Sequence, residues 1–152
     1  MLEFPIAPGN LRGMLLLLGI VGLVLAVVLG LVLTSAMGAR TARFQVSPEG
    51  LRLRGDLYGR LIPAAELRVD EARRVDLTTN AELTPRLRTF GTGVPGYQAG
   101  WFRLRNGEKA LLYLTDRSRA VYVPTTAGYS VMVSPADPDG FLAALRTLPV
   151  RQ

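Results

Sequence analysis

Apolar residues follow three different rhythms along this chain. From Met14 to Leu33 they are unbroken (MLLLLGIVGLVLAVVLGLVL), with no charge between Gly13 and Ala39. About 20 such residues in a helix span a hydrocarbon core of about 30 Å. Beyond Arg40 the period is two, the signature of strands. After Asp137 it becomes helical: Phe141, Leu142, Leu145 and Leu148 fall on one face, Asp137 can cap, Pro138 suits the first helical position and Asp139 favours the first turn.

The middle region divides at its turns. RFQVS (43–47), the turn Pro-Glu-Gly and LRLRG (51–55) read as a hairpin with Leu51 and Leu53 on one face and Arg52 and Arg54 on the other. RLIP (60–63) predicts a third strand, AAEL a single helical turn, and ARRVDLT (72–78) a fourth strand. Residues 79 to 100 are rich in glycine and proline without a repeating apolar pattern, and predict a long loop. WFRLR (101–105), the Asn106-Gly107 turn and KALLYLT (109–115) form the clearest hairpin signal. RAVYVP (119–124) and YSVMV (129–133) complete seven or eight short antiparallel strands. These cannot bury both faces alone, so they are expected to curl into a partly open barrel that the helix over 138–148 plugs at one end.

The apolar run sets the membrane relationship. A cleaved signal sequence is the competing reading, because Ala36 and Gly38 are small. Signal cores are about 7 to 15 residues behind a basic leader, however, and this run is longer, with only Arg12 beside Glu3 before it. The expectation is a short leader at 1–13, a transmembrane helix at 14–36, a linker at 37–42 and a folded domain at 43–148. Arg40, Arg43 and Arg52 follow the span and Arg12 alone precedes it, which places the C-terminal domain in the cytoplasm.

Composition removes most chemistry. With no cysteine and no histidine, thiol nucleophiles, Cys/His zinc sites, histidine triads and disulfides are excluded. The net charge of +6 rests almost wholly on arginine, Lys109 being the only lysine. A basic domain tethered to a bilayer is drawn to anionic headgroups, at about 1 kcal/mol per basic residue near the surface. Lys109 could activate Ser118 only if the fold joined them, and Asp116 has no partner of matched role. No enzyme, cofactor or metal site is therefore expected, and the tether argues against nucleic acid as a partner.

Gly91, Gly93 and Gly96 match the G-x-G-x-x-G spacing of dinucleotide sites. The context denies it: PRLRTF before them is no buried strand, Gly100 and the alternating WFRLR deny the following helix, and Pro95 removes a backbone N–H from the supposed cradle. A glycine-rich loop with positive φ values is the simpler reading.

FQVSPEGLRLRGDLYGRLIPAAEL, then GTGVPGYQAGWFRLRNGEKALLYLTDRSRAVYVPT, GYSVMVSP and FLAAL resemble the bacterial pleckstrin-homology-like (PH-like) domains, small membrane-anchored proteins. The resemblance covers residues 43 to 147. It implies a mainly β fold, a split barrel of about seven strands with a C-terminal capping helix, in a single-pass protein of the bacterial cell membrane. The resemblance names no ligand; the expected role is a non-enzymatic interaction or scaffold module at the membrane surface, with an enzyme of unknown class as the distant alternative. The expected interaction loop carries Arg88, Phe90, Val94, Pro95, Tyr97 and Trp101. In phosphoinositide-binding relatives basic residues on the first two strands flank a roomy loop, which makes Arg40, Arg43, Arg52 and Arg54 candidate anionic-lipid contacts. SPEG departs from that pattern, being short and carrying Glu49.

Overall fold

A computed structural model describes residues 11–55 and 58–149. The leader up to Asn10 lies outside the described residues. The chain divides into two compact units, Met1–Thr34 and Ser35–Gln152. In the first, helix α1 begins and continues without a break over Leu11–Thr41. Its segment Leu11–Leu33 is long and apolar enough to cross a membrane, with its large apolar side chains exposed all round. A helix that is apolar on every side has no core-facing stripe to choose, which suits lipid on all sides.

Among the described residues, the second unit holds nine strands in two sheets and, besides the end of α1, one further α-helix. Strands β1 (Arg43–Ser47), β2 (Gly50–Arg54) and β3 (Leu61–Pro63) form an antiparallel three-stranded sheet in sequence order. Two short 3-10 turns, Ala64–Glu66 and Val69–Glu71, lead to β4 (Arg73–Val75). Then come β5 (Pro85–Val94), β6 (Tyr97–Leu104), β7 (Lys109–Leu114), β8 (Ala120–Pro124) and β9 (Ser130–Val133). These six make the larger sheet, in the order β4-β8-β9-β7-β6-β5. Helix α2 (Pro138–Arg146) closes the domain, with Asp137 accepting a hydrogen bond from the Gly140 N–H as its N-cap.

The central strands of the larger sheet are buried on both faces. One face, with Tyr97, Ala99, Leu111, Tyr113, Val121, Val123, Val131 and Val133, packs against Leu51, Leu53 and Ile62 of the small sheet and Phe141, Leu142 and Leu145 of α2. Phe44 links these layers, edge-on to both Tyr113 and Phe141 at 6.2 Å. The opposite face, with Phe102, Leu104, Ala110, Leu112, Leu114, Tyr122 and Met132, is covered by Leu77 and Leu83 from the β4–β5 connection. Two-sided burial explains why KALLYL and SVMV read as nearly continuous apolar runs.

Three expectations are corrected. The loop over residues 79–100 is instead occupied from Pro85 by β5 and the first half of β6, joined by a two-residue turn. The strands are not all antiparallel: β9 enters between β7 and β8 and lies parallel to β7. The fourth strand shrinks to Arg73–Val75, because Asp76 starts a turn in which its carboxylate accepts the Thr78 N–H. The PH-like architecture of two sheets and a C-terminal helix stands; the count rises to nine strands because β5 is one of them.

Candidate interaction surface

The β5–β6 ribbon answers the question raised by its glycines. Gly91 and Gly100 face each other across the two strands. A Cβ on Gly100 would stand 2.5 Å from the Phe90 carbonyl oxygen and 2.6 Å from the Gly91 Cα, and its φ is +110°. The two backbones approach too closely for any side chain. The turn itself is Val94-Pro95-Gly96-Tyr97, with Gly96 at φ +81° behind a proline, the residues a type II turn requires. The glycines serve a tightly paired ribbon, not a phosphate cradle.

β5 is the edge of the six-stranded sheet. Its pairing with β6 is regular from Phe90 to Val94, and irregular between Pro85 and Leu87 and between Arg88 and Phe90. The second bulge sets the directions of the side chains. Leu87 pairs with Arg103 and Phe90 with Trp101 on one face, whereas Arg88 pairs with Phe102 on the other. Phe90 is 67% exposed and Leu87 58%; outside α1, only Leu61 joins them as an exposed large apolar residue among those described.

Trp101 sits half-buried behind Phe90, edge-on to Tyr129 at 5.0 Å. The Lys109 Nζ lies 4.4 Å and the Arg60 guanidinium 5.1 Å from its ring centre. Each such contact is worth about 0.5–1 kcal/mol where water reaches it, enough to hold two cations over one ring. Tyr58 meets Phe90 edge-on at 5.5 Å, so the β2–β3 connection and the ribbon share one aromatic surface.

Charge is distributed one-sidedly here. Between Glu82 and Glu108 the chain has no carboxylate, yet it carries Arg86, Arg88, Arg103 and Arg105. The ion pairs among the described residues lie elsewhere: Arg52–Glu49, Arg68–Glu71 and Arg74–Asp139. The ribbon's tip, Gly93 to Gln98, forms with Leu114 to Arg117 the wall of an open depression of about 640 Å³.

The expected interaction residues are therefore brought onto one ribbon but not onto one face. Phe90 and Trp101 share a face, with Val94 and Tyr97 further along it; Tyr97 is buried core. Arg88 is on the reverse side beside Phe102, and Pro95 is in the turn. The convergence of Arg60 and Lys109 on Trp101 has no signal in the sequence, because it joins segments distant along the chain.

The lipid candidates divide similarly. Arg43 stands directly opposite Arg54, and Arg52 opposite Gln45 and Leu61, on the outer face of the small sheet. Arg52, Arg54 and Arg60 line an open depression of about 260 Å³. The side chain of Arg40 lies outside the described residues.

The catalytic candidates have other engagements. Lys109 lies over Trp101, whereas the Ser118 hydroxyl and N–H donate to the Asp116 carboxylate and hold its pKa below the usual value. Tyr122 donates to the Glu108 carboxylate at 3.0 Å; burial first, and then that carboxylate, push its pKa up to about 12. This is a satisfied partly buried pair.

Two layered sheets, the larger with a covered second face, and a C-terminal helix docked on their shared core define a PH-like domain. A family profile described as bacterial PH domain matches residues 42–148, well over half of the 152, and the chain belongs to that family. No curated protein and no solved structure matches it. PH-like domains mediate protein or lipid interactions and are generally non-catalytic.

Proposed function

We propose that this is a single-span membrane protein that holds its PH-like domain, residues 43–148, at the cytoplasmic membrane surface as a non-catalytic module for binding another protein, with the β5–β6 ribbon as the contact. The observation that carries this reading is the exposure of Phe90 and Leu87 on an edge strand, with Leu61 the only other exposed large apolar side chain outside α1 among the described residues. Exposed apolar residues beside aromatic and arginine side chains are what interface centres are made of. The length of the apolar run supports an anchor, and the arginine excess after it supports the orientation.

A photo-crosslinking residue in place of Phe90, in native membranes, should give a discrete protein adduct. The same residue in place of Thr126, exposed in the β8–β9 turn, should give none. Equal yields from both positions would remove the ribbon as the contact. Protease added to intact spheroplasts should leave the domain uncut; digestion would place it outside the cell.

A second reading, contact with anionic lipid, is favoured by Arg43 facing Arg54. Like charges directly opposite in a sheet are destabilising unless an anion lies between or above them. Hydrogen exchange of β1 and β2 in nanodiscs should then slow with anionic lipid relative to zwitterionic lipid, and Arg43→Ala with Arg54→Ala should abolish the difference.

A further inference from the structure

We infer that the ribbon's partner is an acidic, extended segment of another protein, which pairs with β5 as a seventh strand of the larger sheet. This rests on the interaction-module reading and names the chemistry of its partner. β5 ends the strand order, so alternate N–H and C=O groups along its outer side face away from β6. From Phe90 to Val94 its pairing with β6 is uninterrupted, which leaves a regular backbone template on the other side. The two bulges are confined to residues 85–90.

The side chains specify what lies along that edge. On one face an added strand meets Leu87 and Phe90, with Trp101 behind Phe90; on the other it meets Arg88, whose guanidinium lies over Gly93 near the Phe102 ring. Arg86 lies in the first bulge and lines, with Arg88, Gly93 and Phe102, one open depression, and no carboxylate occurs in the ribbon to neutralise either arginine. Residues of a strand alternate between faces. The complementary segment therefore alternates acidic with apolar residues, carboxylates toward Arg86 and Arg88 and apolar side chains over Leu87 and Phe90. Backbone pairing supplies affinity in such strand addition and the alternate side chains supply choice of partner. A second copy of the chain fits poorly, because two β5 strands side by side would bring arginine against arginine.

The single tryptophan, Trp101, reports on the site. With the full-length protein in uncharged detergent micelles, an acetylated and amidated peptide alternating Glu and Val over eight residues should shift Trp101 emission saturably. A Lys/Val peptide should not. Arg86→Glu with Arg88→Glu should weaken the Glu/Val peptide by at least about tenfold and bring in the Lys/Val peptide, since the sign of the exposed charges selects the partner. N-methylation of every second amide tests the strand itself: of the two alternate sets, one should abolish binding and the other leave it intact. Equal binding by both methylated sets, or by the Glu and Lys peptides, overturns the inference. So does an emission shift with phosphatidylglycerol vesicles that needs Arg86 and Arg88 when the peptide gives none, which would make the surface a lipid contact. A protein adduct from position 90 without Glu/Val binding would leave the interaction module standing and remove the acidic strand.

Discussion

β5 and β7 lie on either side of β6 in one sheet, yet they are opposites in composition and environment. Every β7 residue after Lys109 is buried, whereas none in β5 is. β7 (KALLYL) presents one side chain to each core layer in turn; β5 (PRLRTFGTGV) carries two arginines, two glycines and an exposed Leu and Phe. The contrast shows that pairing and burial are separate achievements. β7 is held by what packs on its two faces, and β5 chiefly by its backbone pairing to β6, which leaves its side chains available to a partner.

The sharpest way to break this comparison is to place the same charge in each strand. Leu112→Asp should prevent folding, because an unpaired buried carboxylate costs several kcal/mol, comparable to the whole stability of a small domain. Leu87→Asp, two strands away, should leave the thermal melt of the full-length protein in place. A cooperative melt with Leu112→Asp would show that the covered second face is not a core.

Next in size is Gly100→Ala, which tests whether β5 is held by close backbone approach. The φ of +110° alone costs about 1–3 kcal/mol for a residue with a Cβ, and the Cβ would also meet the Phe90 carbonyl. Denaturant unfolding should show a loss of that order or more, with hydrogen exchange rising first in β5. An unchanged midpoint would mean that the ribbon can separate freely.

Tyr122→Phe probes the second core layer more gently, and should cost about 1 kcal/mol at neutral pH for the lost hydrogen bond to Glu108. Its pH dependence has a definite sign. The folded pKa of about 12 lies above the ordinary value of 10, so the folded state favours the protonated phenol. That contribution is complete below pH 10 and is lost as pH rises from 10 through 12. The phenylalanine variant should lack this part of the alkaline decline, and parallel pH curves for the two proteins would contradict the pairing.

Smallest in stability and largest in function is Phe90→Ser. The melt should stay within about 0.5 kcal/mol of the parent, as for exposed positions generally, while Trp101 loses its response to the Glu/Val peptide. A large stability loss would mean that Phe90 belongs to the core.

Much of this domain was legible in sequence because its signals are local. The hairpin at Asn106-Gly107, the α2 cap at Asp137-Pro138 and the apolar run of α1 each rest on residues within a turn or two of one another. β5 was not legible. Gly91 and Gly93 interrupt the alternation that marks a strand, the bulges shift its phase, and an edge strand need not bury a continuous face. One signal was available: Val94-Pro95-Gly96-Tyr97 is a two-residue turn, and reading outward from it pairs Thr92 with Ala99 and Phe90 with Trp101. The candidate site was half legible for the same reason. Phe90 and Trp101 stand out by type and pair by counting from the turn, whereas Leu87 shares their face only because of the bulge between Arg88 and Phe90.

The sequence by itself determined the apolar span, the strand-rich domain and its closing helix, because helix caps, turn residues and residue periodicity act over a few neighbours. Only the tertiary structure decided that β9 lies between β7 and β8, that Leu77 and Leu83 cover the sheet's second face, and that Arg60 and Lys109 converge on Trp101. Those are contacts between segments distant along the chain. They are selected by shape and burial, which no local pattern encodes.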